Sequence, residues 1–158
     1  GFSKAFAMTG WRIGFAAAPS EIASQILKIH QYAIMCAPTT GQYAALACLE
    51  EGFQDDFKTV NMMKEEYDKK RKFLFKALTE MGLSCFEPLG AFYMFPCIKS
   101  TGMDGEEFAN EFLTQQKVAV VPGGAFGECG KEHIRISYAY SMEKLEKAME
   151  RMRAFLEK

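Results

Sequence analysis

Histidine is scarce in this sequence, and its cysteines form no C-x-x-C pair. His30 and His133 lie far apart with no ligand-like cysteine near either, so no metal site is expected and both read as surface or hydrogen-bonded structural groups. Cys36, Cys48, Cys85, Cys97 and Cys129 are odd in number and scattered. That pattern excludes a fully paired disulfide framework and fits a reducing, cytoplasmic compartment. Neither sign of charge is in excess, since 19 Lys and Arg stand against 20 Asp and Glu. Without a basic field, neither nucleic acid nor an anionic membrane surface is expected as a partner. No apolar stretch reaches the roughly 18 to 20 residues of a membrane span, and no segment resembles a secretory leader. Internal repeats and low-complexity tracts are missing as well. So is an initiator Met: the chain opens on Gly1 and enters structured-looking sequence at once, which is the expectation for a piece cut from a longer polypeptide.

What is present suits an ordinary globular protein, with 158 residues, 49% of them apolar and 25% charged. Ile13 to Ala18 is a short apolar run closed by Pro19 and reads as a buried strand. Ser20 then caps a helix carrying Ile22, Ile26, Leu27, Ile29 and Ile34, and a second helix follows Pro38 until Gly52. From Phe53 to Met81 the spacing predicts one long helix, with Phe57, Val60, Met63, Tyr67, Leu74, Leu78 and Met81 on one stripe and Gly82 as its stop. Leu83 to Phe86, Ala91 to Ile98, Val118 to Val121 and Ile134 to Tyr140 read as strands, with Pro96 marking an edge or a strand end. A helix from about Glu106 to Gln116 is capped by Asp104 with Glu107 three residues on, and a last helix begins behind Ser141. The fold class expected is α/β: residues 1–55 as the end of a larger α/β domain, and residues 56–158 as a smaller lobe of sheet covered by helices, reached through the long helix.

The densest chemistry lies in the first fifteen residues. Lys4 sits among Phe2, Ala5, Phe6 and Ala7, where partial burial would favour an uncharged, nucleophilic amine. Arg12 offers a fork of donors suited to a phosphate, with Thr9 and Gly10 as small neighbours. An amine nucleophile and a phosphate clamp in one segment point to a phosphorylated aldehyde. The bland readings are a lysine whose stem covers apolar surface and an arginine on the surface. Far downstream, alternation along Ile134 to Tyr138 puts Ile134, Ile136 and Tyr138 on one face and Arg135 and Ser137 on the other, so a guanidinium could project from an anchored strand.

The run Ser3-Lys4 followed by Met8-Thr9-Gly10-Trp11-Arg12-Ile13-Gly14 resembles the cofactor-lysine signature of the class I and II aminotransferases of the aspartate aminotransferase type. The resemblance implies that Lys4 covalently holds pyridoxal 5'-phosphate and that Arg12 binds its phosphate. Family members often carry a phosphate-binding serine three residues before the lysine; Gly1 stands there, and Ser3 is the substitute considered. Ile134-Arg135-Ile136-Ser137-Tyr138-Ala139 resembles the strand whose arginine grips the substrate α-carboxylate, which gives Arg135 that role. Pro88 to Tyr93 and Val121 to Gly127 also look like family segments; both also read as glycine-dependent turns and receive no catalytic role, with Tyr93 and Phe126 as candidates to line a pocket. The implied activity is transfer of an amino group between an amino acid and a 2-oxo acid, by a homodimer. Residues of that site that belong upstream of the lysine are not in this sequence, so the chain alone is expected to have little or no activity and exposed apolar surface around Ile13 to Leu49. A carbon–sulfur lyase on the same fold, or a ligand-sensing domain of a transcriptional regulator, remain the alternatives at this level.

Overall fold

A computed structural model describes residues 1–157. Two compact units divide within one helix, the first covering residues 1–63 and the second beginning at Lys64.

The first unit is helical. A single turn, α1 (Phe2–Ala5), is followed by a 3-10 turn over Thr9–Trp11, then α2 (Ser20–Ala33), α3 (Thr39–Asp55) and the start of α4 (Lys58–Glu80). Its small core is Phe2, Met8 and Ala45, with Phe6, Ile13, Ala44, Cys48 and Leu49 packed around them. Ile13 to Ala18 forms no strand. A strand exists only by pairing, and no described segment runs beside this one to supply a ladder. At α2 the boundary residue is Pro19, whose carbonyl accepts from Ile22 and Ala23; Ser20 is the first helical residue and makes no side-chain cap. The apolar residues of α2 are left open: Ile22, Ile26, Leu27 and Ile29 are all exposed, and the helix buries none of its side chains.

The long helix expected from Phe53 is broken. Asp56 and Phe57 both take left-handed backbone, with φ of 55° and 53°, so α3 ends at Asp55 and α4 starts at Lys58. Gly52, read as the stop of α3, lies inside it. A Cβ there would sit 2.4 Å from the Phe57 ring, so the missing side chain is the seat into which that ring folds back. The Phe57 N–H donates to the Gly52 carbonyl at 2.8 Å, which pins the reversal. At the far end Gly82 does stop α4: Gly82 N–H donates to Thr79 and Leu83 N–H to Leu78, two bonds that satisfy the last carbonyls.

The second unit is a three-stranded antiparallel sheet covered by helices. β1 (Tyr93–Met94), β2 (Val121–Pro122) and β3 (Ile134–Ser137) lie in the order β1-β3-β2. Tyr93 faces Ser137, and Val121 faces Arg135. The strands are shorter than the apolar runs that announced them, and Leu83 to Phe86 makes one ladder-like bond, from Cys97 N–H to the Ser84 carbonyl, without becoming a strand. Pro96 lies two residues past the end of the edge strand β1, where its missing N–H is harmless. The remaining helices are α5 (Gly105–Gln116) and α6 (Met142–Leu156). Asp104 caps α5 as expected, accepting from the Glu106 and Glu107 N–H groups at 2.9 Å each, and Ser141 caps α6. Leu74, Leu78, Met94, Ile98, Phe108, Phe112, Ile134 and Met152 are fully enclosed, and Phe108, Phe112 and Phe155 stack against one another at 5.2 to 5.7 Å.

Candidate functional site

The N-terminal turn is held by one residue. Phe2 is buried against Met8 and Ala45, and the Phe6 N–H closes α1 onto the Phe2 carbonyl at 3.1 Å. Lys4 is two positions further, roughly 200° around the helix, so its side chain leaves on the opposite side. It is exposed, and the partial burial expected from its aromatic neighbours is not found, because Phe2 and Phe6 turn inward while Lys4 turns out. Ser3 is half-buried beside it.

Between Lys4 and Arg12 the chain reverses at Ala7, with φ of 54°, and again at Arg12, with φ of 53°. Left-handed backbone costs a residue with a Cβ about 1 to 2 kcal/mol, and such strain collects at functional segments. The result is a tight coil in which α1 packs beside the Thr9–Trp11 turn. Arg12 is exposed, and its Nη1 donates to the Thr9 carbonyl at 2.7 Å. One end of the guanidinium is thereby fixed, while its other donors meet no protein acceptor among the described residues. Ser3, Lys4 and Arg12 all belong to the first unit; Arg135 belongs to the second.

Arg135 projects as the alternation predicted. Ile134, Ile136 and Tyr138 are buried on one face of β3, with Arg135 and Ser137 half-covered on the other. Its surroundings were not legible. The Tyr93 ring centre lies 4.6 Å from the Arg135 Cζ and the Phe126 ring centre 4.7 Å from it. The Nε is sealed from water and has no hydrogen-bond partner among the described residues. Arg135 also borders a cavity of about 580 Å³ whose charged lining is Lys117, Arg135, Lys144, Lys147 and Arg151, with no carboxylate. Lys117 and Arg151 are tied to the carbonyls of Thr114 and Gln116. His133, expected at the surface or hydrogen-bonded, is half-buried instead; its ring stacks on Phe95 at 5.1 Å and its Nδ1 finds no partner.

The family model for aminotransferase class I and II matches residues 1–152. The chain belongs to that family. Among curated relatives, YugH of Bacillus subtilis (strain 168) is 58% identical over all of this chain and 40% of its own length. The aspartate aminotransferase of Pyrococcus abyssi is 51% identical over 99% of this chain and 40% of its own. The solved aromatic aminotransferase of Pyrococcus horikoshii is 50% identical with a TM-score of 0.88, covering 99% of this chain and 41% of that one. The chain therefore spans about 40% of the length of the aminotransferases it matches. Both the α/β fold class and the aminotransferase resemblance expected from Lys4 and its following motif hold.

Proposed function

We propose that this chain is part of a pyridoxal-phosphate-dependent aminotransferase, with Lys4 as the cofactor lysine, Arg12 as the phosphate clamp and Arg135 as the grip on the substrate α-carboxylate. The observation that carries the reading is the family match over residues 1–152, which includes the Lys4 to Arg12 segment. Residues 1–55 are read as the closing part of the large cofactor-binding domain and residues 56–158 as the small domain. A cytoplasmic homodimer acting on an amino acid and a 2-oxo acid completes the proposal. The named relatives include an aspartate and an aromatic aminotransferase, which leaves the side chain of the substrate open.

The residues present fit the cofactor. Lys4 makes no ion pair among the described residues, so no carboxylate competes for its amine. Arg12 has donors to spare after binding the Thr9 carbonyl, and a rigid fork suits a phosphate better than a point charge does. Ser3 directly precedes Lys4 in the chain and offers a hydroxyl donor where Gly1 offers none. Bound pyridoxal phosphate supplies an electron sink for charge developing at the substrate α-carbon. Lys4, once its amine is free and uncharged, can take the proton from that carbon and return it to the neighbouring reacting carbon. Arg135 fixes the substrate by its carboxylate, which sets the bond that breaks.

Reduction with borohydride in the presence of pyridoxal phosphate, followed by peptide mass analysis, tests the assignment. A modified Lys4 peptide is expected, lost in Lys4→Ala and weakened in Arg12→Leu at limiting cofactor. Label spread evenly over the surface lysines would sink it.

A further inference from the structure

We infer that Tyr93 and Phe126 are positioning residues, an aromatic clamp that holds the Arg135 guanidinium with its rim, and not its faces, open to a ligand. The inference rests on the carboxylate role proposed for Arg135 and deepens it. One ring comes from each flank of β3: Tyr93 lies on β1, and Phe126 follows β2, in a sheet ordered β1-β3-β2. Each ring centre is within 5 Å of the same carbon, at 4.6 and 4.7 Å. Among the described residues the two rings make no aromatic contact with each other; Tyr93 touches Phe92, and Phe126 touches Phe95. Two rings that close to one atom and not in contact with one another approach it from well-separated directions.

Both rings are backed. Tyr93 leans on Phe92 at 4.9 Å, which packs on Tyr67 at 5.2 Å. Phe126 meets Phe95 edge-on at 6.0 Å. The loop bearing Phe126 is anchored by a contact between two backbones: a Cβ on Gly123 would lie 2.3 Å from the Gly130 carbonyl oxygen, and one on Gly130 would lie 2.2 Å from that of Gly123. Only glycine at both places lets the loop close and bring the ring in.

A guanidinium covered by rings is desolvated without losing its in-plane donors, so a planar carboxylate meeting its rim gains more than it would from a hydrated arginine. The sealed, unpartnered Nε leaves the terminal nitrogens as the donors that remain reachable.

Arginine side-chain NMR on the chain tests the clamp directly. In the wild type, the Arg135 Nε–H signal is expected to be shielded by the rings, slow to exchange with water and restricted in rotation. Tyr93→Leu and Phe126→Leu are each expected to move that signal toward those of free arginines, whereas Tyr93→Phe keeps it in place. Unchanged urea midpoints separate this from loss of fold; Phe126 is more than half exposed, so its replacement leaves the core intact. Leu variants that leave shielding, exchange and rotation as they were overturn the clamp. Titration with 2-oxoglutarate then reads the role beneath it. Binding weakened roughly threefold to tenfold by either Leu variant, and lost in Arg135→Leu, supports both claims. Binding unaffected by Arg135→Leu overturns the carboxylate role even where the rings order the guanidinium.

Discussion

Tyr138 carries its hydroxyl into the second unit and donates it to the Ala91 carbonyl at 2.8 Å. Burial pushes its phenol above the ordinary tyrosine range. The sign follows: the folded state holds the proton more tightly, so this group's contribution is fully present below about pH 10 and is lost as pH rises through the raised native value. Tyr138→Phe is expected to lose about 1 kcal/mol at pH 8 and to show a smaller drop in urea midpoint between pH 8 and pH 11 than the wild type. Thiols give a second residue-level test. Cys36 and Cys129 are exposed, while burial holds the half-covered Cys85 thiol protonated. Alkylation at pH 8 should label Cys36 and Cys129 faster than Cys85; a Cys85 that labels as fast as those two in the native protein would contradict that burial. Lys4, Arg12 and Arg135 could be proposed from sequence because each sits in a short motif. Tyr93 and Phe126 stood out in family-like segments but not as neighbours of Arg135, because 42 positions separate Tyr93 from Arg135 and only the sheet brings them together.

The helices were easier to read than the strands. Asp104 and Ser141 announced α5 and α6 because a cap and a 3.6-residue period are local signals. The join between α3 and α4 was not announced, since Asp56 and Phe57 look compatible with one continuous helix until the Phe57 ring finds the gap over Gly52. Gly52→Ala is therefore expected to cost about 1 to 3 kcal/mol, where an alanine in an ordinary helix interior would stabilise. A rise in urea midpoint for that variant would show that the ring does not depend on the glycine. Ile13 to Ala18 is apolar but mostly glycine and alanine, which strands disfavour, and it has none of the pairing, so an apolar run alone states burial and not a ladder.

At the scale of the molecule, the first unit leaves Phe15, Ile22, Leu27, Ile29, Tyr32 and Ile34 exposed, as expected for the region from Ile13 to Leu49. Exposed apolar residues gathered in this way associate. Sedimentation is expected to show species larger than a monomer that grow with concentration, and the double change Ile22→Lys with Ile29→Lys should shift them toward monomer; a wild type that stays monomeric at high concentration would refute this. No helix among the described residues is long and apolar enough to cross a membrane.

By itself the sequence determined the amphipathic periods, the caps of α5 and α6 and the family, since each is written in neighbouring residues. Tertiary structure alone decided that Lys4 faces outward from a turn anchored by Phe2, that only three short runs become a sheet, and that two rings close on Arg135. Those outcomes need partners far along the chain, and contact between distant residues depends on how the backbone folds back, which no local pattern encodes.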